Sequence, residues 1–333
     1  ERGIFVLTDA NGNAPGGNDR GFGIYHADTR HLSTYDLTLS GVRPVMLLST
    51  AELGYAMEQV MTNPTLRVTD DHRAERGSIE IRRLRVVADL VEETLRLTNF
   101  NPFPVTLELV YEFGADFADI FDVRGYRRRR SGIRHGPEVG TDRITYRYTG
   151  VDGRERSTHI SFDRAPNEID ESHALFRVTL PRRQAVVLGT QIAVNGQAQR
   201  RRGARSRADT VHDAYSRWAD GCTRVTTDNE FFNHVLDRAL RDIRMLWSET
   251  EAGEAYPAAG TPWFDAPFGR DSCIMAMQLL SYRPDIARSC LQLLAKWQGT
   301  RADQARDEEP GKIIHELRFD ELSRSGELPY GPY

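Results

Sequence analysis

A change of period near residue 200 constrains this chain more than any other feature. Before it, short runs of β-branched and aromatic residues alternate with turn residues. Ile4–Thr8, Gly21–His26, Tyr35–Leu39, Ile79–Val87, Glu93–Asn99, Val105–Phe113, Arg143–Tyr148, His159–Phe162, Ala174–Leu180 and Gln184–Val194 read as strands. Asn11-Gly12, Ser40-Gly41, the stretch from Asn99 to Pro104, Asp152-Gly153 and Pro181 separate them. Many short antiparallel strands with regular turns imply a β-sandwich, here a large one. Glu108 and Glu112 alternate imperfectly with Leu107, Leu109 and Val110, so the two faces of that strand stay unassigned.

After the Arg-rich stretch 195–207 the spacing becomes helical. Asp209–Asp220 reads as a linking helix, and Thr227 with Glu230 predicts a capping box. Behind that box Phe232, Val235, Leu236, Ala239, Leu240, Ile243, Leu246 and Trp247 fall on one face. A third helix opens at about Asp271. A fourth runs from Pro284 through Ile286, Cys290, Leu293, Leu294 and Trp297 to a stop at Gly299. The expected division is a sandwich over residues 1–200, a linker and linking helix over 201–227, and a helical part over 228–333.

Composition narrows the function classes. With 39% hydrophobic and 28% charged residues the chain is expected to be an ordinary soluble globular protein. No apolar stretch approaches a membrane span, and Glu1-Arg-Gly-Ile-Phe has no signal-peptide architecture, so no membrane partner is expected. The net charge of −4 argues against a nucleic-acid partner. Two basic runs, Arg127–Arg130 and Arg200–Arg207, lack interleaved aromatics and read as a solvated hairpin tip and a linker. Cys222, Cys273 and Cys290 form neither a disulfide framework nor a zinc spacing, which fits a reducing, cytoplasmic setting. Asp9-x-Asn11-x-Asn13 begins like a calcium loop. Ala14 and Arg20 stand where such a loop needs Gly and Glu, so it reads as a polar turn. Asp116, Asp119 and Asp122 read as a short helical turn whose carboxylates face water or meet arginines. No metal or cofactor is expected.

The chemistry concentrates in Ala259–Ser272. Trp263, Phe264 and Phe268 offer flat apolar faces in a loop stiffened by Pro262, Pro267 and Gly269, and Arg270 and Asp271 follow side by side. Aromatic faces can cover the C–H face of a sugar ring, while a bidentate guanidinium–carboxylate pair grips neighbouring hydroxyls. The same residues could instead plug a core and form a salt bridge or cap. The residue types alone leave both readings open.

The segment PWFDAPFGRDS (262–272) resembles the signature of the bacterial amylo-α-1,6-glucosidases of the glycogen-debranching type. DTRHLS (28–33), ADFADIFDVRG (115–125) and EPGKIIHELR (309–318) resemble three further elements of that family, so the likeness spans nearly the whole chain. It implies a sandwich followed by the first helices of an (α/α)6 catalytic barrel, which has twelve helices where this chain supplies about four. The implied activity is inverting hydrolysis of α-1,6-glucosidic branch linkages in glycogen-like glucans. Related toroids acting on trehalose-like or mannosylglycerate substrates, and a non-catalytic binding module, are the alternatives. By the same resemblance Arg270 and Asp271 hold the terminal glucose, and His315, Glu316 and Arg318 line the cleft or form a structural salt bridge. A general acid needs its proton held near neutral pH, hence an apolar pocket. A carboxylate in a first helical turn beside an arginine is not in one, so Asp271 is assigned to binding. The acid–base pair is expected beyond residue 333, which would leave the chain an inactive N-terminal part.

Overall fold

The computed structural model describes residues 1, 3–68, 72–196, 206–250 and 253–331. A large antiparallel β-sandwich is followed by a few helices of a partial barrel. One face of the sandwich is a nine-stranded sheet. Its order is Ile133–Arg134, Arg143–Thr149, Glu155–Phe162, Ala185–Val194, Val91–Asn99, Ile79–Val87, Ala56–Thr62 and Val45–Thr50, with Glu138–Val139 also on Arg143–Thr149. The facing sheet runs Glu168–Ile169, His173–Leu180, Val105–Gly114, Thr34–Leu39. A third, Ile4–Leu7, Gly23–His26, Thr29–Leu32, Ala118–Asp119, closes one end. Register places Leu95 opposite Leu188 and Arg83, and Tyr111 opposite Ala174. Inward-facing Phe162 meets Tyr111 and Phe176 of the other sheet, with ring centroids 5.9 and 5.1 Å apart.

All ten expected strands are present, with ends shifted by a few residues. Three longer ones escaped the pattern: Thr29–Leu32, Val45–Thr50 and Ala56–Thr62. The sandwich interior also holds charge. Arg83 and Arg85 are buried and share the carboxylate of Glu93, which also accepts from the hydroxyls of Tyr35 and Tyr111. Burial alone would raise the Glu93 pKa; the two guanidiniums outweigh it and hold the carboxyl down at about 2.

Six helices are present among the described residues: α1 Ile120–Val123, α2 Arg207–Asp220, α3 Glu230–Leu246, α4 Gly269–Leu279, α5 Pro284–Lys296 and α6 Glu321–Arg324. A two-stranded ribbon, Trp247–Glu249 with Ala255–Pro257, interrupts the helical part. The box expected at Thr227 does not form. Asn229 caps α3 by accepting from the Phe232 amide, and the Thr227 hydroxyl accepts from the Asn229 amide and meets Asn233. With Asn229 as the cap, Glu230 falls at the first helical position and not the third, so the reciprocal bond back to the cap cannot form. A true capping box opens α2, between Ser206 and Asp209. Pro284 occupies the first turn of α5, as its fixed φ favours.

The basic runs are not simply solvated. Arg128 bonds Asp122, the Tyr148 hydroxyl and Glu321, and Arg207 is buried against Asp89 and Glu92. Arg200–Arg205 lie outside the described residues. Asp9 folds the Asn11–Asn13 turn by accepting from both backbone amides. Of the three spaced carboxylates, Asp116 pairs with Arg30 at 2.5 Å, Asp119 caps α1, and Asp122 pairs with Arg128. No helix among the described residues is long and apolar enough to cross a membrane.

Candidate functional site

The four quoted motifs meet at one seam between sandwich and helices. Gly269 opens α4 because the Ile314 carbonyl lies 2.1 Å from where a Cβ would stand. That close approach lets 267–269 run antiparallel to 315–317: the Gly269 amide donates to the His315 carbonyl, and the Leu317 amide to Pro267. Phe268 is thereby set against His315 and Phe264, edge to face, with centroids 6.2 and 5.9 Å away.

Arg318 locks this arrangement to the sandwich. It is 1% exposed. Its Nη1 donates to Asp28 at 2.7 Å, its Nε to Glu316 at 3.1 Å, and its Nη2 to the Trp263 carbonyl at 2.8 Å. Asp28 sits with Ala27 in a two-residue hairpin turn, both at positive φ, the twist such a turn requires. Its carbonyl accepts from the Ile120 amide, which carries α1 and the residues after it to the same place. Phe121 stacks on Tyr330 at 5.8 Å and lies under the Arg318 guanidinium.

The result is an open cleft of about 500 Å³. Phe264, Phe268, His315 and Glu316 line it from the helical part, and Phe121, Arg124 and Tyr126 from the sandwich, with Tyr330 and Arg318 between. Five of the eight residues picked out by sequence therefore share one cleft: Phe264, Phe268, His315, Glu316 and Arg318. The other three stand beside it. The Trp263 ring packs on Gly21 and faces the Arg124 guanidinium 5.9 Å away. Arg270 and Asp271 occupy the first turn of α4, Arg270 75% exposed, and meet through a single 3.6 Å contact, not a bidentate grip. Arg318 spends its donors inside the protein, so it is the salt bridge as well as part of the lining.

Sequence reasoning assigned no site role to Phe121, Arg124, Tyr126, Tyr330 or Asp28. Four of these lie in or beside quoted motifs, which was the available signal.

Carboxyls accumulate behind the cleft. Asp28 is pushed up to about 7, because complete burial outweighs Arg318 and the nearby Asp320, Asp265 and Glu316 carboxyls add to it. Asp119 is raised well above its ordinary value by burial and by the Asp320 carboxyl beside it. Burial also raises Asp265. A larger hollow of about 580 Å³ lies behind the 263–268 loop, reached by Asp28, Trp247, Tyr256 and Asp265. Its lining includes none of the cleft's aromatic rings and neither Arg270 nor Asp271.

The architecture has a solved counterpart. A sandwich packed against the first helices of a barrel is shared with a putative kojibiose phosphorylase from the human microbiome, at TM-score 0.56 and 8% identity. The match covers 86% of this chain and 42% of that one, so the chain spans less than half the length of that protein. Heparan sulfate lyase HepC from Pedobacter heparinus (TM-score 0.28, 11% identity, 50% of this chain and 25% of that one) is too distant to argue from. No curated protein matches the sequence. Residues 1–191 match the N-terminal domain of some glycogen debranching enzymes, and the chain belongs to that family.

Proposed function

We propose that this chain is part of a glycoside hydrolase that cleaves α-glucosidic linkages, specifically α-1,6 branches of glycogen-like glucans, with inversion. The observation that carries this reading is convergence. Segments 115–125, 262–272 and 309–318, far apart in sequence, line or flank one aromatic and polar cleft, in a chain whose first 191 residues belong to a debranching family. We assign residues 1–200 to the sandwich, 201–227 to the linker and linking helix, and 228–333 to the start of an (α/α)6 barrel.

In this reading Trp263, Phe264 and Phe268 wall the terminal glucose on its C–H faces. Arg270 and Asp271 bind its hydroxyls; their loose mutual contact leaves donors and acceptor free for the sugar. Glu316 accepts from Arg318 at the cleft floor. Inverting hydrolysis needs two carboxyls about 6.5–9.5 Å apart on opposite sides of the bond. Glu316 is the one carboxylate among the described residues lining the cleft, so this chain supplies grip and wall without an acid–base pair.

The test is glucose release from a branched glucan. Residues 1–333 alone should release none, and the intact enzyme should. In the intact enzyme Asp271→Asn exchanges an acceptor oxygen for a donor amide, and kcat/KM should fall by about 10²–10³. The pH profile should keep its form, because a binding carboxylate does not set its acid limb; loss of that limb would make Asp271 catalytic. Assays with and without inorganic phosphate separate hydrolysis from phosphorolysis, the reaction named for the protein that shares the fold.

A further inference from the structure

Two arginines reach the cleft, and they differ in what they have left to give. Arg318 is buried, and Nε, Nη1 and Nη2 all donate within the protein. Arg124 is exposed; its backbone amide donates to the Ile120 carbonyl, but among the described residues no carboxylate or carbonyl accepts from its guanidinium. Three rings hold it instead: its guanidinium carbon lies 5.9 Å from the centroid of Phe121, 5.9 Å from Trp263 and 5.8 Å from Phe264. Attraction to ring faces fixes a guanidinium without using its in-plane N–H donors. Arg124 is therefore oriented in advance, with its planar fork available to neighbouring hydroxyls.

Its position says which hydroxyls. Phe264 touches both Arg124 and Phe268, and Phe268 is the residue from which α4 starts. One aromatic ring thus stands between Arg124 and the helix terminus that carries Arg270 and Asp271.

We propose that Arg124 is a specificity-determining residue supplied by the sandwich, gripping the glucosyl unit next to the one held at the start of α4. This rests on the reading of the cleft as an α-glucan site. The accessory domain then reads the leaving side of the substrate and separates a glucan branch from a simple glucoside.

The experiment uses the intact enzyme with Arg124→Ala and Arg124→Lys, on a branched oligosaccharide of at least three glucosyl units and on nitrophenyl α-glucoside. For Arg124→Ala, kcat/KM on the oligosaccharide should fall by about 10–100-fold, mainly through KM, on the scale of one or two lost charged hydrogen bonds. On the aryl glucoside it should stay within about twofold. Lysine should recover only part of the loss, because it lacks the fork. Equal losses on both substrates, or none on either, would overturn the assignment. If the parent cleaves neither substrate, the functional reading fails, and calorimetric titration with maltotriose and glucose decides for Arg124. A drop of about tenfold or more in trisaccharide affinity, with glucose unaffected, supports the role. An unchanged trisaccharide affinity, or a parent that binds neither sugar, overturns it.

Discussion

In strand Val105–Gly114 every second side chain is buried; in helix α3, which has a continuous apolar stripe, none is. Phe231 is 77% exposed, Phe232 49% and Val235 50%. On α4, Ile274 and Met277 are similarly uncovered, as is Leu280 at its C-cap. The strands complete their burial among themselves, since pairing sets neighbours side by side and the facing sheet covers the inner face. A helix presents one stripe and needs another element across from it. Among the described residues the stripe of α3 meets only partial cover, where Ile243 and Leu246 pack beside α4, α5 and the 255–257 strand. Amphipathic pattern fixes which face is apolar and leaves open what lies against it.

That contrast can be broken by experiment. The largest effect is expected in the sandwich: Glu93→Ala leaves Arg83 and Arg85 charged, buried and without their shared carboxylate, and should cost about 3–5 kcal/mol in urea unfolding. A loss below about 1 kcal/mol would mean that the interior is less dry than its burial indicates.

Next comes the seam. Asp28, ordinarily near 3.8, is raised to about 7 when folded, so its contribution to stability is fully present below about 4 and is lost as pH rises through about 7. Asp28→Asn should flatten the decline in stability between pH 4.5 and 7.5 by about 2–4 kcal/mol. Melting curves of parent and variant that stay parallel across that window would contradict the direction of the shift. The smallest effect belongs to α3. Phe232→Ala removes a half-exposed ring and should cost less than about 1 kcal/mol, whereas a cost near 3 kcal/mol would show that something covers the helix in solution.

Much of the sandwich was legible because alternation is a local property. The strands that escaped show where this stops. Val45–Thr50 is an edge strand whose Leu47 is 64% exposed, so its run of apolar residues carries no inside–outside signal. Thr29–Leu32 is polar in sequence yet buries His31 completely. Arg83 and Arg85 sit at inward positions that residue type alone would have turned outward; Glu93, on the adjacent strand and directly opposite Arg85, makes them tolerable there.

Residue types and motif resemblance brought out Phe264, Phe268, His315 and Glu316, which the fold gathers in one cleft, because aromatic loops next to fixed polar groups are visible one segment at a time. Pairing was not. Sequence could not show that Arg318 would spend its donors on Asp28, 290 residues away, while Arg124 would keep its own. Both are arginines within quoted motifs, and nothing local distinguishes them. The sequence by itself determined most of the long strands and helices and which loops combine aromatic with charged residues, since those follow from spacing and side-chain type. Only the tertiary structure decided which guanidinium is a strut and which is free to bind, because a donor's availability depends on acceptors brought beside it by the fold.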